Sequence, residues 1–265
     1  MNIIWQELKA NKKALFFWCV GIFFMAVVGM TKYSASSQDA QALTDIVKQM
    51  PASIQALFGL SQLDMSQLAD YFGILFPFNA IIAVLHAGLL GANTIAKEER
   101  DKTSEFLYVK PISRNRVLSD KLIAILLQLL VLNIVTIIGS FIGVAIFGGG
   151  QMITAEIFMF MAAMFGMQLF FAAIGFCLAA SLKNTKLATG ISAIIVVVTY
   201  LLSAIISMAG DNLAFLDILT PFKYYDPYTM LHGDFNWMFV VVNALVVIVA
   251  IGAGYFFYNR RDFEY

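Results

Sequence analysis

Residues 97–121 read KEERDKTSEFLYVKPISRNRVLSDK. Seven are basic (Lys97, Arg100, Lys102, Lys110, Arg114, Arg116, Lys121) and five acidic (Glu98, Glu99, Asp101, Glu105, Asp120). No other long polar run in the chain is so densely charged with both signs. Apolar segments flank it, residues 72–96 before and 122–147 after, and each is long enough to cross a bilayer. The polar stretch is therefore a loop between two membrane spans.

Composition points the same way. Of 265 residues 60% are apolar and 13% charged, and the mean hydropathy is +0.81. A soluble core does not need so much apolar sequence, so the expected fold is all-α and polytopic, in one membrane domain over 1–265. The net charge of zero carries no signal for nucleic acid, because the charges are sorted by side of the membrane. Cys19 and Cys177 both lie in apolar runs, which suits packing better than a disulfide or a metal site.

Before the first apolar run, Ile3, Ile4, Trp5 and Leu8 interleave with Gln6, Glu7, Lys9, Lys12 and Lys13. Residues 1–13 read as a helix on the membrane surface with Trp5 at headgroup level, or as a plain charged flank. Residues 14–30 are longer than the apolar stretch of a signal peptide, although Ser34-Ala35-Ser36 could mimic a cleavage site; a retained first span is expected. Residues 31–71 are polar and poor in basic groups. Leu43, Ile46, Val47 and Met50, then Ile54, Leu57 and Phe58 after Pro51, fall at helical spacing, with Gly59 as a stop. Two amphipathic helices outside the bilayer are expected there.

The second span, 72–96, contains Pro77, which can bend it, and the polar His86 and Asn93. A lone histidine in a span is more often packed than a proton carrier. The third, 122–147, holds Gln128, Asn133 and Thr136, and Gly139 and Gly143 at the four-residue spacing that lets helices approach closely. The fourth, 153–182, is rich in Met and Phe; Met159, Met161, Met164 and Met167 suit packing better than copper ligation, since no His or Cys clusters with them. The fifth is 187–209 and the sixth 237–258. Between them Pro221, Tyr224, Tyr225, Pro227 and Tyr228 suggest an interfacial loop with aromatic anchors.

Six spans put both termini on one side. If that side is the cytoplasm, fourteen of the seventeen basic residues face it, and only Lys32, Lys48 and Lys223 lie outside. That split follows the positive-inside rule.

Residues 97–109 lack Gly and Pro and can form a charged helix, with Glu98 and Lys102 in the favourable order. Lys110 precedes Pro111, which ends it. Ser113 can then cap the helix that enters the third span. The order Glu98-Glu99, Thr103, Glu105, Leu107, Pro111-Ile112-Ser113-Arg114 resembles the cytoplasmic loop of type-2 ABC-transporter permeases. Lys102 departs from the glycine usual in that family. Met50-Pro51 and Ala56-Leu57-Phe58-Gly59, followed by Asp70-Tyr71, resemble the first external loop of many such permeases, and Tyr258-Asn259-Arg260-Arg261-Asp262 resembles their basic-aromatic C-terminus.

The resemblance implies a coupling helix in this loop that docks on an ABC ATPase subunit through Glu98, Glu99, Thr103 and Glu105, with Pro111, Ser113 and Arg114 forming the break and cap. It implies a second permease chain, identical or a sister, in a bacterial cytoplasmic membrane, and makes 1–13 an elbow helix. ATP and Mg would be bound by the partner subunit. No G-x-x-x-x-G-K-[ST], H-E-x-x-H or G-x-S-x-G occurs in the chain, so neither catalytic nor metal-binding residues are expected in it. Acids are absent from the middles of the spans, with Glu156 at an edge, which weakens a secondary carrier. A membrane scaffold or immunity factor that recruits an ATPase is the other alternative to an exporter of amphipathic or hydrophobic cargo, such as a peptide, a lipid-like molecule or a drug.

Overall fold

The computed structural model describes residues 3–33, 47, 49–51, 54–55, 63–100, 113–182, 184–233 and 235–260, with the backbone alone at 96–100, 185–186 and 210–211. Six helices are long and apolar enough to cross a membrane. They are α1 (Ile3–Met30), α2 (Leu68–Arg100), α3 (Arg114–Phe147), α4 (Thr154–Ser181), α5 (Thr185–Ala209) and α6 (Met238–Arg260). No strand occurs among the described residues. The chain is an all-α polytopic membrane protein, because hydrocarbon leaves a backbone no partner but itself.

The helices outrun the apolar segments that announce them. The surface segment and the first span form one helix, α1, in which Ile3 and Glu7 are buried while Trp5 is exposed. Helix α2 begins before residue 72 and carries Pro77 inside it. Helix α3 starts at Arg114, inside the charged run, because Ser113 caps it. At its far end the Gly148 amide donates to the Val144 carbonyl at 2.8 Å, and Gly149 (φ 63°) and Gly150 (φ 82°) make a left-handed turn into α4. Of the two amphipathic helices expected between α1 and α2, most residues lie outside those described; Ile54 and Gln55 are helical.

Helices α2 and α4 form the centre, with 61% of each one's most apolar stretch buried, against 17% for α1 and α6. Their backbones touch. A Cβ on Gly91 would lie 2.2 Å from the Ala172 carbonyl oxygen, and one on Gly175 2.3 Å from that of Gly88. Only residues without a side chain allow this approach. Helix α1 packs on α3 and α2, α5 on α2 and α4, and α6 on α4. The Gly139/Gly143 pair seats α1: Cβ atoms there would meet Ala26 Cβ at 3.3 Å and the Ala26 carbonyl at 3.2 Å. Exposed Phe16, Phe17, Phe24, Ile138, Ile194 and Val241 cover the outside of the bundle, as lipid contact requires.

The segment between α5 and α6 departs from its expected form. It is a 3-10 helix (Gly210–Leu219) followed by two short helices (Pro221–Tyr224 and Pro227–His232), each with proline in its first turn. Phe222, Tyr224 and Tyr225 turn inward, whereas Tyr228 is half-buried and Phe215 exposed. Phe222 sits 6.0 Å from Phe171, and Tyr224 stacks on Phe239 at 4.9 Å. Tyr225 closes over Gly166, and burial, reinforced by Tyr224, pushes its hydroxyl up to about 12. Trp237, by contrast, is exposed. Asp226 caps the second short helix, accepting from the amides of Tyr228 (3.0 Å) and Thr229 (3.4 Å). Asp217 shares a small polar cavity with Lys223 and Asp226; burial raises its carboxyl, Lys223 opposes and Asp226 reinforces the rise.

Candidate functional site

Both ends of the charged run rest on long helices. Glu98 and Glu99 lie on the last turn of α2, and Ser113 and Arg114 open α3. Thr103, Glu105 and Pro111 lie outside the described residues. The structure therefore places the two roots of the loop.

The first turns of α3 are tied to the end of α6. Arg114 Nη1 donates to the Asn259 carbonyl at 3.2 Å, and Asn259 Nδ2 donates to Asn115 Oδ1 at 2.7 Å. The hydroxyls of Ser119 and Tyr255 share a hydrogen bond of 2.7 Å. Arg116 pairs with Asp120 at 3.3 Å, but 73% of the Arg116 side chain is exposed, so solvent screens that pair.

Beneath these contacts lies a buried ion pair. Lys121 Nζ donates to Glu7 Oε1 at 3.2 Å and to the Thr94 carbonyl, with the Lys121 and Glu7 side chains 1% and 3% exposed. Three helices meet there: α1 through Glu7, α2 through Thr94 and α3 through Lys121. Both charges read from sequence as solvated, Lys121 as the last residue of a polar loop and Glu7 as the wet side of a surface helix. Their burial follows from the extension of α3 and α1 into those segments. The available signal was spacing: Ile3 and Glu7 share one helix face, four residues apart.

A compact apolar cluster completes this end of the bundle. Ala92 and Ile95 of α2, Leu118 of α3, Phe176, Ala179 and Ala180 of α4, Ala188 of α5 and Tyr258 of α6 pack together. Thr189 Oγ1 donates to Asn93 Oδ1 at 3.3 Å, a second tie between α5 and α2. All six helices thus converge where the charged run leaves α2 and enters α3, and the start of α1 and the end of α6 lie there. The roots of the run at α2 and α3 are joined to the other four helices.

The interior polar groups are elsewhere. Asn133 Nδ2 donates to the Met161 carbonyl at 3.1 Å and to Gln168 Oε1 at 3.4 Å, joining α3 to α4. His86 is buried with its ring 5.4 Å from that of Trp18, and its Nδ1 has no hydrogen-bond partner. Met161, Met164 and Met167 are buried in the core, as packing residues would be. Among the described residues no group of His, Cys, Asp and Glu is placed to hold a metal ion.

The cap on α3 gives a direct test of how the loop's second root is held. Ser113 Oγ accepts from the Arg116 amide at 3.4 Å. Ser113→Ala is expected to cost about 1 kcal/mol of local stability. Hydrogen exchange should show it as faster exchange at the Arg116 and Val117 amides, with the spanning turns of α3 unchanged.

A family model described as ABC-2 family transporter protein matches residues 1–263. No curated protein matches the chain.

Proposed function

Since the chain belongs to the ABC-2 transporter family, and so is the multi-pass permease subunit of an ABC transporter, we propose that it forms the membrane half of an ATP-driven exporter. The observation that carries this is the family match across residues 1–263, a stretch that holds no phosphate-binding loop. The fuel-burning step then belongs to a separate ABC ATPase, which would bind the ATP and Mg. That partner would dock on the loop between α2 and α3, through Glu98, Glu99, Thr103 and Glu105. Pro111, Ser113 and Arg114 would break the loop and start the next helix. A second permease copy or sister chain would complete the path across the membrane.

Charge sorting supports a cytoplasmic position for the loop and both termini, in a bacterial cytoplasmic membrane. The convergence of six helices at the loop's roots supports a coupling role. The wealth of Phe, Met and small residues favours amphipathic or hydrophobic cargo: a peptide, a lipid-like molecule or a drug.

Reversing two charges at a docking surface sets like charges against each other, which costs several kcal/mol. Glu98→Arg/Glu99→Arg is expected to reduce the ATPase recovered by co-purification by about ten-fold or more. Unchanged recovery would remove the docking role. With the intact pair in vesicles, cargo movement that requires ATP distinguishes an exporter from a scaffold that merely recruits an ATPase.

A further inference from the structure

Docking as just described assigns nothing to the Glu7–Lys121 pair. We propose that Lys121 is a positioning residue for the transport cycle: through Glu7 and the Thr94 carbonyl it clasps α1 to the roots of α2 and α3, so that a push on loop 97–121 carries α1 with it. This rests on the reading of that loop as the docking site.

Place is the first argument. Lys121 is the last residue of the charged run, and Thr94 lies three residues before its first. The pair therefore sits at the throat of the loop, where any displacement is felt earliest. Its reach is the second. Glu7 stands on a peripheral helix, buried over only 17% of its most apolar stretch. At its other end α1 is held by the Tyr71 hydroxyl, which donates to the Gly29 carbonyl at 3.0 Å. The ion pair is the matching tie at the loop end.

Energetics supply the third. Removing both charges from water costs more than their attraction reliably returns, and an apolar pair of similar volume usually serves stability as well or better. What an ion pair adds is direction, since its hydrogen bonds fix where three backbones stand relative to one another. Nor does Lys121 reach out to headgroups, because only 1% of its side chain is exposed. Finally, the Thr94 hydroxyl beside the pair is buried and has no hydrogen-bond partner. A buried polar group left over next to a charge pair fits an element with two arrangements, of which this is one.

The test uses the permease with its ATPase in lipid nanodiscs, with Cys19→Ser and Cys177→Ala removing the native thiols. Spin labels at Lys32→Cys, just beyond α1, and Met152→Cys, just before α4, report the position of α1. In this background, ATP with vanadate is expected to shift the label distance. The double substitution Glu7→Leu/Lys121→Met should keep the melting temperature and the ATPase recovery while the shifted fraction falls by about five-fold or more. A full shift in that variant, with ATPase bound, overturns the proposal. So does a complex with the native pair whose α1 label stays in place. If the native pair recovers no ATPase, the docking reading fails and this proposal falls with it. Loss of the shift with ATPase retained bears on the clasp alone.

Discussion

Gly91→Ala is expected to destabilise the bundle by about 3 kcal/mol, the upper end of what overpacking costs, and Gly91→Leu to yield no correctly assembled protein. The reason lies in what the new atom would meet. Its Cβ would stand 2.2 Å from the carbonyl oxygen of Ala172, and that oxygen belongs to a helix backbone, which cannot rotate aside as a side chain can. The two central helices would have to part. Gly175→Ala should do the same from the other side, where Cβ would stand 2.3 Å from the Gly88 carbonyl. Combined, the two should cost less than their sum, because helices already pushed apart leave room for the second methyl. Gly190 is the control. A Cβ there meets nothing within 4 Å, so Gly190→Ala should gain up to about 1 kcal/mol from helix propensity. Thermal unfolding of the purified protein in nanodiscs reads all four; a Gly91→Ala protein that melts with the parent would show that α2 and α4 are not in backbone contact.

Lys121→Met should be comparably damaging, by about 3–5 kcal/mol, because it takes the lysine away from a carboxylate only 3% exposed. Glu7→Leu, which takes the carboxylate from an ammonium only 1% exposed, should cost about as much. Making both changes should return the melting temperature to within about 1 kcal/mol of the parent, since an apolar pair carries no desolvation penalty. The resulting coupling energy, large and favourable, separates this pair from Arg116–Asp120. There, with Arg116 73% exposed, Arg116→Ala should change stability by no more than about 0.5 kcal/mol. Additive effects of Lys121→Met and Glu7→Leu would mean that the two side chains do not depend on each other.

Much of the fold was legible because hydrocarbon is a strict solvent. Six long apolar runs had to be six helices, and the alternation of polar loops put both chain ends together. Gly139 and Gly143 announced a close helix contact by spacing, and the structure supplies its partner, Ala26 on α1. The closest approach went unread, because Gly88, Gly91 and Gly175 look like ordinary small residues until two particular helices are laid across each other. Helix ends were the weakest part. Hydropathy marks where lipid stops, whereas caps and tertiary packing decide where a helix stops: α2 begins at Leu68, ahead of its apolar run, while α3 begins at Arg114, where the sequence offers Ser113 as its cap. The ion pair went unread for another reason: Lys121 counted with the charges of the loop, and no spacing shows which neighbouring helix covers it. The aromatics between α5 and α6 misled for a related reason. Tyr and Trp suit both the membrane surface and the core, and only the fold back onto Phe171 and Phe239 separates Tyr224 and Phe222 from Trp237. For the candidate site, the sequence order gave the loop; the structure adds its roots at Glu98–Glu99 and Ser113–Arg114.

The clasp between Glu7 and Lys121 also bears on how the chain is made. The two residues are 114 positions apart. At ordinary rates of translation the ribosome needs roughly 6–23 s to cover that distance. Throughout that interval the first helix carries an acid whose lysine has yet to be made, and water at the lipid–water boundary can solvate the charge of its amino-terminal turn. The clasp closes once the third helix delivers the lysine, which ties the seating of α1 to the arrival of α3.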